Sequence, residues 1–409
     1  MPVQAGPSRR FRRIMFAIFM ASFVIVTTLV LLEGNGYIIH FPSRTLITTG
    51  SMLVKVEPTD AVVTVAGVAH TKGSPVRITR ITPRTVPVRI EAPGYHTWSK
   101  RLTIDPQHAT FVDTVLIRNS EPIVIQTFPA NHQISLSPDG ATVLQWNPGS
   151  VGVTSTQITT ITDNGAVVHT IATPFSPTAL TVTWSADSAR AALAWSAGTR
   201  HATYIFSSVK QEFFGTLEHD QLTFVGWDPA SPWVAIARGA DGSLFNFHAI
   251  THEITARTGS GTPLVRDQRA LYVADPVTRT VSVTPLTGDD EPTVLAIDAT
   301  SGRSSEEATL LTNDFELWYS HQGSPFALMA RTSDPIIAAY PVPGMPYALL
   351  LTKSRVQLHE FDGRDARAAY TLLGDRRVEQ VGVESRGRKI RAITTEPSGA
   401  RALVDLWIR

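Results

Sequence analysis

The strongest hydrophobic pattern in the chain lies near its start, where Ile14 to Leu32 (IMFAIFMASFVIVTTLVLL) runs for 19 residues without a charge. At about 1.5 Å of rise per residue, a helix of that length crosses roughly 30 Å of hydrocarbon. Its polar side chains are Ser22, Thr27 and Thr28, which do not make the polar face that a core helix of a soluble domain carries. Arg9, Arg10, Arg12 and Arg13 crowd the N-terminal flank, while the other flank opens with Glu33 and has no base before Arg44. The positive-inside rule then places residues 1–13 in the cytoplasm, a transmembrane helix over 14–32, and everything beyond it outside. A cleaved signal peptide, the alternative, has an apolar run of about 7 to 15 residues and a small-residue cleavage site. Here Glu33-Gly34-Asn35-Gly36 follows, so an uncleaved anchor is expected. A cytoplasmic part this short cannot house an enzyme.

After a juxtamembrane segment, 33–50, the pattern changes to period-two alternation in short runs broken by Gly, Pro and Asp, with no long stretch of helical period. The ectodomain therefore reads as all-β. Residues 51–118 offer the strands MLVKV, AVVTVAG, VRITRI, VPVRIEA, RLTID and FVDTVLI, which imply a small antiparallel sandwich. Asn119 to Pro122 interrupts the pattern and marks a boundary.

Within this segment, Val56-Glu57-Pro58-Thr59-Asp60-Ala61 with Gly67, then Gly73-Ser74-Pro75, then Gly94-Tyr95-His96-Thr97-Trp98, resemble a PEGA domain of bacterial envelope proteins. The family usually has Pro-Glu-Gly-Ala where this chain has Pro58-Thr59-Asp60-Ala61, and a Pro-Gly turn where it has Pro83-Arg84. Physically, the Pro and Gly positions make turns, the alternating Val and Ile fill a core, and Tyr95 and Trp98 cap it or stack on a carbohydrate.

Residues 119–409 repeat. Ile134 to Leu144, Val182 to Leu193, Val225 to Ile236 and Val381 to Ala392 share one outline of strand, polar turn and strand. Aligning Leu136, Trp184, Trp227, Val265, Tyr340 and Val383 gives steps of 48, 43, 38, 75 and 43, so a degenerate unit near Leu310 to Tyr319 fills the double step. The implied fold is a six- to seven-bladed β-propeller, in which each blade buries its faces against its neighbours and ring closure removes sheet edges. The Ser137-Pro138-Asp139-Gly140 turn and its echo Ser185-Ala186-Asp187-Ser188 resemble repeats of TolB-like, or more broadly WD-like, propellers. Turn geometry alone accounts for that motif. The indoles of Trp184 and Trp227, at equivalent positions, are expected to pack between blades, with ligand stacking as the other reading. The whole layout resembles membrane-anchored bacterial PEGA proteins with a C-terminal propeller.

Composition narrows the chemistry. With no Cys, the chain has no disulfide, thiolate nucleophile or Cys-based zinc site. The 36 basic and 35 acidic residues nearly cancel, and without the four N-terminal Arg the balance is slightly acidic, which argues against nucleic acid. His248 and His252 are spaced as metal ligands only on a helix, and they lie in a strand-like run. Asp163-Asn164-Gly165, Asp241-Gly242 and Asp362-Gly363 lack the later ligands of a calcium loop and read as hairpin turns. Asp289, Asp290, Glu291, Glu306 and Glu307 are the densest carboxylates and sit in polar connections; no Gly-x-Ser-x-Gly elbow occurs. Arg364, Arg367, Arg376, Arg377, Arg386, Arg388, Lys389 and Arg391 form a basic run that reads as a solvated surface or, alternatively, one that meets an anionic polymer.

The expected protein is a non-enzymatic, single-pass cell-envelope protein of bacteria. Its propeller is a platform for an envelope protein or cell-wall polymer; no catalytic residue, metal or cofactor is implied. A propeller-borne hydrolase of glycans or peptides, or a sensor ectodomain with a separate transducer, are the alternatives.

Overall fold

The computed structural model describes residues 9–40, 45–71, 73–147, 155–172 and 179–409, except 221, 230, 232, 240, 252, 258–260, 276, 288–290 and 375. The chain separates into two compact units, residues 1–116 with 364–366 and residues 117–363 with 367–409.

In the first unit, the apolar run forms a helix over Arg9–Gly34 with no buried residue. Two of its hydroxyls bond to the helix's own backbone. Ser22 Oγ donates to Ile18 O at 3.1 Å and Thr28 Oγ1 to Val24 O at 2.8 Å, so neither hydroxyl needs a partner outside.

The sandwich that follows consists of two sheets. Val68–His70, Val62–Val65, Thr85–Glu91 and Trp98–Thr103 pair antiparallel in that spatial order. In the other sheet, Gly50–Glu57 lies between Val76–Ile81, antiparallel to it, and Ala109–Val115. That last pair is parallel, with Ser51 opposite Ala109 and Glu57 opposite Val115, which corrects the wholly antiparallel expectation. A parallel neighbour requires a long crossover, and here the crossover holds the whole of the other sheet together with Val76–Ile81, a relation that alternation within single strands does not encode. Alternation does encode burial: Met52, Val54, Val56, Val86, Val88 and Ile90 are each at most 3% exposed. Each stabilises by roughly 1.5–3 kcal/mol if fully removed from water.

Among the described residues, the second unit holds seven four-stranded antiparallel sheets. Six of them use consecutive strands, beginning with Gln133–Leu136, Ala179–Trp184, Thr223–Trp227, Thr262–Arg266, Ser301–Ser304 and Ile336–Pro341, and each first strand is innermost. The seventh takes Arg377–Val383, Lys389–Thr395 and Arg401–Trp407, and its outermost strand, Ile123–Phe128, comes from before the first blade. The chain thereby closes a seven-bladed propeller by lending its first strand to its last blade, so no blade is left one strand short. The four aligned repeats each fall on the first and second strands of a blade. The degenerate unit is blade five, where Leu310 and Tyr319 lie on the second and third strands and the innermost strand is the polar Ser301–Ser304.

Candidate binding site at the centre of the propeller

The innermost strands of blades two to six surround a cavity of about 820 Å³. Two features of the sequence shape it. In blades four and six the innermost strand carries one extra residue against its neighbour, with register shifts spanning Pro263/Val265 and Ile336/Ala338. Such bulges re-aim side chains, and the residues at these two, Leu264 and Ile337, line the cavity; Ile337 is 54% exposed. Trp184 and Trp227 line it as well, but their polar edges face the ring. Trp184 Nε1 donates to Ser135 Oγ and Trp227 Nε1 to Thr183 O, both at 3.0 Å, so each indole ties its strand to the preceding blade.

At one end the cavity meets the turns that leave the innermost strands. Ser137 Oγ donates to Asp139 Oδ1 at 2.6 Å and accepts from Thr142 N at 2.9 Å, while Ala141 N donates to Asp139 Oδ1 at 3.0 Å. The second copy repeats this pattern: Ser185 Oγ donates to Asp187 Oδ1 at 2.5 Å and accepts from Arg190 N at 3.0 Å, and Ala189 N donates to Asp187 at 3.0 Å. Pro138 supplies the second position, and Gly140 closes the turn at φ +71°, with its N–H on Ser137 O.

Three of the cavity carboxylates, those of Asp187, Asp228 and Asp267, are likewise held by their own neighbours. Asp228 pairs with Arg257 at 2.6 Å, and Arg257 also donates to Asn246 Oδ1 at 2.8 Å. Asp267 accepts from the backbone of Arg269 and Ala270 and from Tyr272 Oη, each at 2.8 Å, and from Thr309 Oγ1 at 2.7 Å. Burial opposes ionisation of Asp267, but these donors outweigh it and hold the carboxyl below its usual value. Burial, and the Asp267 carboxylate, push the Tyr272 phenol up. Glu306 is exposed, and Arg303 sits 5.1 Å from the Tyr340 ring centroid. The arrangement is an apolar centre inside a rim of fixed charge. An acidic residue follows the innermost strand in several blades (Asp139, Asp187, Asp228, Asp267, Glu306, Glu384), a recurrence that alignment of these turns would have exposed.

In the sandwich, Gly67, Gly73 and Gly94 occupy left-handed turn positions at φ +86°, +65° and +79°. Ala61 is buried and donates to Pro58 O, and Ser74 Oγ, beside Pro75, accepts from Val56 N at 2.8 Å. Tyr95 is half-buried, whereas Trp98 is 1% exposed and belongs to the core, which leaves no face for a carbohydrate.

The basic run is dispersed rather than gathered. Arg367 donates to Phe361 O at 2.6 Å and covers the Tyr319 ring at 4.7 Å; Arg376 pairs with Glu396 and Arg388 with Glu384. Arg391 is buried, Lys389 pairs with Asp405, and Arg364 groups with the first unit. Arg377 and Arg386 are exposed near opposite ends of one strand. His248 ends a strand and accepts from Thr251 N, so the run to Thr255 is a hairpin; His252, Asp289, Asp290 and Asp375 lie outside the described residues. Among the described residues, no group of three or more His, Asp or Glu is placed to hold a metal ion.

Residues 49–120 match the PEGA domain family, over the segment that forms the sandwich. Comparison with curated proteins gives no match. Among solved structures, the chain is similar to the Myceliophteria thermophila Cps50 (Swd1) β-propeller domain at 10% identity, covering 70% of this chain and 100% of that one, with a TM-score of 0.47. It is similar to a chain of the mitotic checkpoint complex at 10% identity, over 70% and 91% of the two chains, with a TM-score of 0.44. For the C-terminal WD40 domain of Sif2 the identity is 11%, the coverage 88% and 96%, and the TM-score 0.42.

Proposed function

We propose that this chain is a non-enzymatic scaffold of the bacterial cell envelope, anchored by Ile14 to Leu32 with its N-terminus cytoplasmic. The PEGA-like sandwich is a spacer, and the propeller engages a protein partner through its central cavity. One observation carries this reading: the cavity joins an apolar lining, Leu264 and Ile337 with the indoles of Trp184 and Trp227, to the carboxylates of Asp187, Asp228 and Asp267, already held by internal donors. A hydrolase needs a carboxylate or nucleophile free to move a proton, and the fixing of Asp187, Asp228 and Asp267, which leaves only the exposed Glu306 among the described lining carboxylates, favours recognition over hydrolysis. The apolar helix, which has no buried residue and whose Ser22 and Thr28 hydroxyls bond to its own backbone, supports the anchor.

The test is Ile337→Arg, which places a charge in the cavity at an exposed position and so spares the core. In crosslinking pull-downs of the full chain from its native envelope, specific partners are expected to fall about tenfold against wild type. Equal recovery from both would sink the reading.

A further inference from the structure

A second cavity, of about 560 Å³, opens where the helix ends. Its lining includes Glu33 to Gly36, Thr49, Arg77, Arg80 and His108, all in the first unit. The junction is clamped: Thr49 donates to Gly36 O from both N and Oγ1, at 2.7 and 2.9 Å, and Gln107 N donates to Thr49 O at 2.9 Å. Gly36 lies at φ +78°, and a Cβ there would meet Thr49 O at 3.0 Å, so the close approach depends on glycine.

Two guanidinium groups share this cavity for a specific reason. Residues three apart on a regular strand face opposite sides, so Arg77 and Arg80 on Val76–Ile81 should diverge. Between them the register slips by one residue, Met52 pairing with Ile78 but Gly50 with Ile81, and Arg80 takes the left-handed conformation at φ +62°. A bulge with a non-glycine residue in that conformation is strained, and here it turns both cations into one cavity. Arg80 pairs with Glu33, yet both side chains are more than half exposed, and a pair of that kind is worth only about 0–1 kcal/mol.

We propose that this cavity holds the phosphate of an anionic lipid headgroup, with Arg77 and Arg80 as its ligands. The inference rests on the anchor reading: if Ile14 to Leu32 spans the bilayer, residues 33–36 stand at headgroup depth. The guanidinium fork matches phosphate oxygens bidentately, and the lowered dielectric near hydrocarbon strengthens the attraction.

The test uses the full chain in nanodiscs of phosphatidylcholine with or without phosphatidylglycerol, read by native mass spectrometry of retained lipid. Wild type is expected to retain phosphatidylglycerol selectively, and R77Q/R80Q to retain about tenfold less. R9Q/R10Q, which removes charge at the other end of the helix, is expected to keep the difference between wild type and R77Q/R80Q. Equal retention by wild type and R77Q/R80Q overturns the proposal. So does binding of inorganic phosphate in phosphatidylcholine discs, dependent on Arg77 and Arg80, without selective phosphatidylglycerol retention; the occupant would then be soluble phosphate. Failure of wild type to enter discs of either composition would overturn the anchor reading instead, and circular dichroism checks that R77Q/R80Q is folded.

Discussion

The interface between blades one and two and the seam between blades seven and one join neighbouring sheets by different means. At the first, Leu144, Trp146 and Ile158 of blade one meet Leu193, Trp195 and Phe206 of blade two. Across the interface the His169 ring of blade one meets Phe206 at 6.3 Å and Phe213 at 5.2 Å, edge to face, and within blade two Trp195 meets Tyr204 at 5.0 Å and Trp184 meets Phe206 at 6.2 Å. The seam has a smaller apolar cluster, with Ile134, Leu136 and Val143 of blade one against Phe128, Ile393 and Leu403 of blade seven. Directional bonds reinforce it. Gln380 donates to Ile134 O at 2.8 Å and accepts from Leu136 N at 2.7 Å, and Val383 N donates to Pro138 O at 2.8 Å. Arg391 pairs with Asp405 at 2.7 Å and Asp163 at 2.8 Å and donates to Gly140 O at 3.0 Å. The first interface also carries hydrogen bonds, Trp184 Nε1 to Ser135 Oγ and Asp139 N to Ser188 Oγ, but its larger apolar cluster is non-directional, which suffices where a short connection already limits how two blades meet. The seam unites distant parts of the chain, and closing that loop has an entropic cost; bonds with a fixed geometry select the register that apolar contact alone leaves open.

The sharpest way to break the first interface is Trp195→Ala. This side chain is fully buried, and its loss is expected to cost about 4 kcal/mol in urea unfolding followed by far-UV circular dichroism. At the seam, Arg391→Met leaves Asp405, 6% exposed, without its main partner, and is expected to cost about 3 kcal/mol. R391M/D405L, which removes both charges, is expected to recover much of that loss, whereas no second substitution restores the Trp195 cavity so simply. A loss under about 1 kcal/mol for R391M would show that the apolar cluster alone closes the ring.

These two interfaces also differ in how far the sequence discloses them. Trp184 and Trp227 recur at nearly one blade's spacing, so the repeat and its packing positions are visible in the chain. Arg391 looks like one more member of a basic run, because its partner Asp163 is 228 residues away and only the ring brings them together. Blade five escapes for another reason: its innermost strand, Ser301–Ser304, has no apolar side chain from which alternation could be read. The closing strand, Ile123–Phe128, is visible as a β-rich run, but its pairing with Arg401–Trp407 is a property of topology. In the central cavity, Leu264 and Ile337 read as ordinary strand residues, since a bulge is a relation between two strands.

Acid should separate the seam from other parts of the ring. In blade six, burial, with Arg355 and Arg367 nearby, pushes His359 down to about 4 from an ordinary 6.5. The unfolded chain therefore takes up a proton that the folded chain refuses in this range. Stability is full above 6.5 and falls as pH drops toward about 4, by up to about 3 kcal/mol. His169, against Phe206 and Phe213 at the first interface, is lowered in the same direction by burial. At the seam, burial disfavours ionised Asp405, but Arg391 and Lys389 outweigh it and hold its carboxyl below the usual value. Its contribution is complete above the ordinary carboxylate range and is lost only as pH falls through its lowered folded value. A pH series of unfolding free energies should thus show a mild-acid limb that His359→Gln largely flattens, and a lower limb that it leaves in place. A mild-acid limb unchanged in H359Q would reassign it to other groups.

The smallest expected effect compares the turns themselves. Gly140 lies at φ +71°, and a Cβ there would meet Arg391 Cβ at 3.0 Å, so the turn facing the seam excludes a side chain. Ser188 holds the corresponding place in blade two at φ +59°, strained for a residue with a Cβ, and its Oγ accepts from Asp139 N at 2.9 Å. A cross-blade hydrogen bond thus offsets the conformational cost that glycine avoids in blade one. Ser188→Ala keeps the cost and loses the bond, for an expected loss of about 1 kcal/mol. Ser188→Gly loses the bond but relieves the strain, and is expected within about 0.5 kcal/mol of wild type. Equilibrium unfolding that ranks alanine at or above glycine would show that the hydroxyl of Ser188 contributes nothing to holding blades one and two together.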